Sequence, residues 1–154
     1  MIALIQRVSS ASVVVDGNKI SEIGKGFLVL LGVFEKDTHD QVELLAKKTA
    51  NLRIFEDSDG RMNISPAMLQ QNGEKCEILV VSQFTLCAQC KGQNRPAFIS
   101  AAKPQEAQSL YEDYVKLLRQ SYSLEVCTGE FGADMKVELL NDGPVTIILD
   151  TDKL

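Results

Sequence analysis

The chain has 154 residues, of which 45% are hydrophobic and 24% charged, with a formal net charge of −5. That length predicts one domain, residues 1–154, able to bury roughly 68–70% of its unfolded surface without disulfide or metal staples. The acidic balance excludes a protein that tracks along a nucleic-acid backbone, which needs an extended basic surface, but not one that holds only an RNA end. No apolar run approaches the ~18 residues of a membrane span, and no basic, signal-like leader opens the chain. The expectation is a cytoplasmic protein with no membrane contact.

In chain order, Ile2–Val8 and Ala11–Val15 read as two strands. Asp16-Gly17-Asn18 and Ile23-Gly24-Lys25-Gly26 are turn signals. The second holds a G-x-G but lacks the third glycine and the helix of a dinucleotide site. Phe27–Phe34 is a long apolar run, read as a central strand. Asp37 or Thr38 can then cap a helix with Val42, Leu45, Ala46, Thr49 and Leu52 on one face.

Arg53–Phe55 reads as a short strand. Asp57-Ser58-Asp59-Gly60 resembles the opening of a calcium loop, but its glycine comes too early and no bidentate Glu follows, so it is read as a turn. Ser65-Pro66 opens a short helix that Asn72-Gly73 ends.

Ile78–Val81 is an unbroken apolar run, a strand buried on both faces, and it runs straight into Ser82-Gln83-Phe84-Thr85-Leu86. A hydroxyl, an amide, an aromatic ring and a second hydroxyl at the end of a buried strand must be paired or must face a ligand. Phe84 also offers a face on which a nucleobase can stack. From the residues alone, ordinary strand-end polar groups explain the stretch better than a site does. Cys87–Lys103 is a longer loop; its Ser100-Ala101-Ala102-Lys103 has the S-x-x-K spacing of serine acyl enzymes without their companion motifs.

Pro104 begins the clearest helix, with Ala107, Leu110, Tyr111, Tyr114, Val115 and Leu118 as its apolar stripe. Glu125–Thr128 reads as a short strand, and Gly129–Asp134 as a loop bearing Phe131. Val137–Leu140 and Val145–Leu149 flank a Gly143-Pro144 that, from spacing alone, reads as a hairpin turn. Strands outnumber helices with mixed connections. The fold class predicted is α+β, two sheet layers with helices packed on one side, a barrel-like β/β/α sandwich.

Four cysteines occur, Cys76, Cys87, Cys90 and Cys127, and a single histidine, His39. Cys87-Ala88-Gln89-Cys90 has C-x-x-C spacing, but no further ligands for zinc are at hand and no helix starts there, so free thiols with no role in a site are expected. His39 at a helix start reads as a solvated surface group. No metal and no cofactor are expected. A Ser–His–acid set cannot be built from this histidine.

The stretches Ser82-Gln83-Phe84-Thr85 and Asn141-Asp142-Gly143-Pro144-Val145-Thr146, in this order, resemble the D-aminoacyl-tRNA deacylase family. The likeness extends to Met1–Val8, Gly26–Val33, Arg53-Ile54-Phe55, Arg95-Pro96 and Phe131–Met135, essentially the whole chain. The resemblance implies a homodimer that hydrolyses the ester joining a D-amino acid to the 3′-terminal adenosine of tRNA. It implies that Ser82, Gln83 and Thr85 are catalytic. Phe84, Gly143, Pro144 and Arg7 would bind substrate. It also implies a cis Gly143-Pro144 bond, inserted from one subunit into the partner's pocket, that rejects L substrates by steric exclusion. Glycine has no side chain to reject, so glycyl-tRNA is expected to be a substrate as well.

An aminoacyl ester is already activated, so the protein must chiefly hold it, stabilise the oxyanion and admit water. Thr85 can act as nucleophile or as hydrogen-bond donor. No base is evident beside it, which favours the positioning role. In the other mechanism the 2′-OH of the terminal ribose assists the water, and N–H groups around Gln83–Thr85 form the oxyanion hole. Arg7 can brace the Gly-Pro loop through its carbonyls. Phe98 and Phe131 are read as core packing ahead of pocket walls. Two rival readings are a non-catalytic module that binds an RNA end or nucleotide through Phe84 and Gln83, and a thiol-based redox or metal protein built on Cys87 and Cys90.

Overall fold

The structure, a computed structural model, describes residues 1–154. Eight strands, three α-helices and two 3₁₀ turns alternate along the chain. They are β1 (Ile2–Val15), β2 (Asn18–Ile23), β3 (Gly26–Gly32), α1 (His39–Ala50), β4 (Phe55–Glu56), β5 (Met62–Ile64), α2 (Pro66–Gln71), β6 (Glu77–Ser82), α3 (Pro104–Ser121), β7 (Glu125–Thr128) and β8 (Met135–Asp150). The main sheet runs β2-β1-β3-β6-β7, with β8 on the free side of β1, and β4 and β5 form a separate ribbon.

The two apolar runs behave as the sequence predicts. β3 and β6 pair in parallel, from Gly26 opposite Glu77 to Leu31 opposite Ser82, and β7 pairs in parallel beyond β6. β3 and β6 are each buried on both faces. Gly26 permits the pairing, since a Cβ there would lie 1.7 Å from the Glu77 carbonyl oxygen. Phe27, Val29, Leu31, Ile78 and Val80 face the helices, within a cluster that includes Val42, Leu45, Tyr114 and Leu118. Leu28, Leu79 and Val81 face the other way, against Val8, Ala11, Val13, Val15 and Ile23. The sheet therefore coils over its own back into a nearly closed barrel, with the helices on one side.

Helix α1 starts at Thr38, whose backbone N–H donates to Gln41 Oε1 at 2.9 Å. It packs on α3, and a buried hydrogen bond of 2.8 Å joins Tyr114 Oη to Thr49 Oγ1 between them. No helix is long and apolar enough to cross a membrane.

Several strand assignments change; of the strand expected at Arg53–Phe55 only Phe55 lies in one, β4, and its partner β5 is not among the expected strands. The pair expected at Ile2–Val8 and Ala11–Val15 is one strand, β1. Its polar Ser9-Ser10 is an exposed kink where the register against β8 shifts, and there β1 passes from the helix-side core to the barrel interior. The hairpin read at Gly143-Pro144 is also one strand, β8. Both of its halves pair antiparallel with β1, Thr146 opposite Gln6 and Asn141 opposite Val8. Only Arg7 remains to face Asp142–Val145, so these residues leave the ladder as a bulge.

Candidate active site

Strand β6 ends at Ser82, and the chain tightens at once into a 3₁₀ turn over Phe84–Cys87. The Gln83 N–H still reaches Leu31 O across the sheet at 2.8 Å, which anchors the start of the turn to β3. Phe84 and Thr85 occupy its first two positions, where N–H groups find no acceptor within the helix. Gln83 Nε2 donates to Thr85 Oγ1 at 2.6 Å. The amide thus engages a lone pair of the hydroxyl and leaves its proton free to point outward. No histidine or carboxylate bonds Thr85, so no general base stands beside its hydroxyl.

A cavity of about 700 Å³ opens beside this turn, between the ends of β3 and β6, the start of α3 and the loop into β8. Ser82, Gln83 and Phe84 line it, while Thr85 stands outside the lining, exposed, tied to it through Gln83. The ring of Phe84 is 59% exposed and meets Phe98 nearly edge-on, centroids 5.0 Å apart. Phe98 and Phe131, which the sequence suggested were core residues, are walls of this cavity; Phe131 tilts against Tyr111 at 5.8 Å. The Tyr111 hydroxyl donates to Val80 O at 2.8 Å and ties α3 to the floor. The lining also includes Ala107, Met135 and Val137, apolar positions that periodicity alone could not separate from core.

Charge around the cavity departs from that of the chain. No Asp or Glu occurs between Glu77 and Glu106, whereas Lys91, Arg95 and Lys103 fall in that interval. Lys103 lines the cavity, and the one acid there, Asp134, is held by Lys136 at 2.9 Å through both oxygens.

The second group of expected residues lies elsewhere. None of the cavity lining comes from Arg7 or the Asn141–Val145 segment. Val137 lines the cavity, and Gly143 is carried roughly 20 Å further along the same strand. Gly143 and Pro144 are exposed, joined by a cis peptide bond, with φ of 129° at Gly143. A Cβ at Gly143 would come within 2.8 Å of Val145 Cγ2 and 3.0 Å of Arg7 Nη2, so the position requires glycine. Arg7 is only 5% exposed. Its Nε donates to Asp142 O at 3.0 Å and its Nη1 to Ile54 O at 2.7 Å.

All four cysteines are free. Cys87 is buried, its thiol directed at Val33 O at 3.4 Å, and burial pushes it up to about 11. Cys90, by contrast, is exposed, next to the bridge between Gln89 and Ala97. Ser100 Oγ donates to Cys87 O, a loop brace that accounts for the S-x-x-K spacing. His39 is exposed between Glu43 and Asp113. The structure contains no group of three or more His, Cys, Asp or Glu placed to hold a metal.

The family model described as D-Tyr-tRNA(Tyr) deacylase matches residues 4–150. A D-aminoacyl-tRNA deacylase of Bacteroides thetaiotaomicron is 53% identical over 148 residues, 96% of this chain and 95% of its own. One of Thermosipho melanesiensis is 50% identical over 154 residues, 100% of this chain and 99% of its own. A solved structure titled "c-Myc DNA Unwinding Element Binding Protein" superposes with a TM-score of 0.87 at 44% identity, covering 97% of this chain and 98% of its own. Another, titled as a probable eukaryotic D-amino acid tRNA deacylase, gives 0.79 at 14% identity over 96% of this chain and 97% of its own, and speaks for the fold alone. With the family model spanning nearly every residue and half-identical relatives matching end to end, the chain belongs to the D-Tyr-tRNA(Tyr) deacylase family.

Proposed function

We propose that residues 1–154 act as one D-aminoacyl-tRNA deacylase domain, which hydrolyses the ester between a D-amino acid and the 3′-terminal adenosine of tRNA. The observation that carries this reading is the placement of Ser82-Gln83-Phe84-Thr85 at the mouth of an aromatic-walled cavity, in a chain whose relatives bear that activity in their names. The terminal adenosine occupies the cavity against Phe84, and the unpaired cations Lys91, Arg95 and Lys103 attract the phosphates behind it. The ester then lies over the 3₁₀ turn. There the free N–H groups of Phe84 and Thr85 receive the developing oxyanion, and the Thr85 proton, directed by Gln83, orients the carbonyl or the attacking water. The terminal 2′-OH assists that water. Ser82 closes the inner side of the turn.

The chiral filter belongs to a second copy. Gly143-Pro144 is exposed and roughly 20 Å along β8 from the chain's own cavity, on a strand whose outer edge is unpaired and carries exposed Leu140 and Ile148. A two-fold dimer that covers this edge brings the Gly143-Pro144 bulge of one protomer over the 3₁₀ turn of its partner. Its carbonyls meet the substrate Cα, where an L side chain collides and a D side chain points away. Glycyl-tRNA, with nothing to collide, is hydrolysed too. The site of action is the cytoplasm.

The test is release of amino acid from matched D-tyrosyl-tRNA and L-tyrosyl-tRNA by the purified protein with chelator present, alongside its mass by sedimentation. Loss of the D ester alone, by a dimer, is the expected result. Equal hydrolysis of both esters would remove the filter, and a monomer would remove its cross-subunit origin. The name of the solved relative at 44% identity supports a second reading, a nucleic-acid-binding module built on the same cavity. Binding of tRNA without turnover would select it.

A further inference from the structure

We infer that Asn141 is a positioning residue for the chiral filter, its side chain closing the neck of the bulge that presents Gly143 and Pro144; this rests on the filter reading above. The bulge poses a hydrogen-bonding problem. Residues Asp142–Val145 face a single residue of β1, Arg7, so the ladder cannot satisfy their backbone groups. Arg7 takes one of them, the Asp142 carbonyl, at 3.0 Å.

The far side of the bulge is held differently. Asn141 Oδ1 accepts the N–H of Val145 at 2.8 Å, across the base of the excursion. Because Val145 N–H can only donate, the oxygen of the carboxamide must lie on that side, and the NH₂ group is turned toward Thr146. Asn141 Nδ2 donates to Thr146 Oγ1 at 3.1 Å and reaches Val145 O at 3.4 Å. Thr146 Oγ1 also accepts from Gln6 Nε2 at 3.3 Å. One carboxamide thus stitches the residue before the bulge to the two residues at its end, and Thr146 ties that stitch back to β1. Val145, just past Pro144, is buried at 6% exposure and packs in the helix-side core. The exposed pair is therefore held on one flank by Arg7 and on the other by Asn141.

A filter that works by collision depends on position. Losing the stitch lets Gly143 and Pro144 recede from an approaching L side chain, whereas a D substrate, whose side chain points away from them, is much less affected. This separates Asn141 from a residue that merely stabilises the fold, whose loss would reduce both reactions together.

The experiment compares single-turnover hydrolysis of D-tyrosyl-tRNA and L-tyrosyl-tRNA by the wild type, Asn141→Ala and Asn141→Asp, with a thermal melt of each. Asn141→Ala removes both ends of the stitch, and the ratio of L to D rates is expected to rise about tenfold. Asn141→Asp keeps an oxygen for Val145 N–H but offers Thr146 no N–H, and is expected to recover part of the discrimination. An unchanged L to D ratio in Asn141→Ala, or a parallel fall of both rates, would overturn the inference. Should Asn141→Ala not fold, Asn141→Asp decides alone: discrimination equal to wild type overturns it. A wild type that hydrolyses neither ester, or both alike, removes the filter reading itself and this inference with it.

Discussion

Arg7→Ala is the substitution whose consequences the structure defines most fully. The guanidinium is buried and spans two elements: Nη1 holds the carbonyl of Ile54, just before β4, and Nε holds the carbonyl of Asp142 at the start of the bulge. A hydrogen bond with a charged partner contributes about 1.5–3 kcal/mol net. Two such bonds set the cost at about 3–6 kcal/mol. The carboxylates of Glu56 and Asp142 stand 3.8 and 3.6 Å away and are largely exposed, so they add little. The outer bond is only partly buried, which places the estimate near the lower end, about 3 kcal/mol. For a chain of this size 1 kcal/mol moves Tm by about 2–4 °C, so Arg7→Ala is expected to melt about 6–12 °C below wild type. Arg7→Lys keeps the charge, but one ammonium cannot serve two carbonyls on different elements, so it should recover less than half of the loss. The same variants should raise the ratio of L to D hydrolysis, because the near flank of the filter is freed. Calorimetry and paired ester hydrolysis read both effects. A drop in Tm under about 2 °C for Arg7→Ala, or full recovery by lysine, would refute the bridging role.

Three further outcomes are expected. Thr85→Ala should slow D-tyrosyl-tRNA hydrolysis in single turnover by about ten- to a hundredfold, the loss of one oriented donor; trapping an acyl group on Thr85 would show it to be the nucleophile instead. Alkylation of the native protein at pH 8 should label Cys90 first, Cys127 slowly, and Cys76 and Cys87 only on unfolding, read by peptide mass; Cys87→Ser with Cys90→Ser should keep deacylation. Burial pushes Cys76 up to about 12 and Cys87 up to about 11 from an ordinary 9.0, so the folded state holds protons that the unfolded chain releases. The stability these thiols contribute is present below pH 9.0 and is lost as pH rises toward 11 and 12, so Tm should fall across that window. Replacing both with alanine should flatten the fall.

The parts of the molecule that were legible in the sequence are those where one local pattern has one structural meaning. The apolar runs of β3 and β6 read as buried strands and are buried strands, and Pro104 with the stripe from Ala107 to Leu118 reads as a core-facing helix and is one. Of the polar residues at the end of β6, Ser82 and Gln83 line the cavity and Thr85 stands just outside it. The misread parts are those where the same pattern has two meanings. Ser9-Ser10 looks like a break between strands, but is a kink in a strand that changes cores. Phe98 and Phe131 are apolar enough for a core, and only the gap between β6, α3 and β8 makes them walls.

Gly143-Pro144 shows why the distinction matters for function. A hairpin and a bulge use the same turn residues; what differs is the partner of the flanking strands. A hairpin pairs them with each other and sinks its turn into one edge of one chain. Here both flanks pair with β1, so the turn is thrown outward from an unpaired edge, with Arg7 beneath it and Asn141 across its neck. Its own cavity lies roughly 20 Å back along the strand. An outward-facing element and the cavity are set apart along one strand, which is why the proposed filter is assigned to a second copy. The long-range pairing of β8 with β1 thereby makes the reading a two-protomer one. Any substitution that lets the two halves of β8 pair with each other should abolish chiral selection and, because Met135 and Val137 would leave β1 with it, reshape the cavity as well.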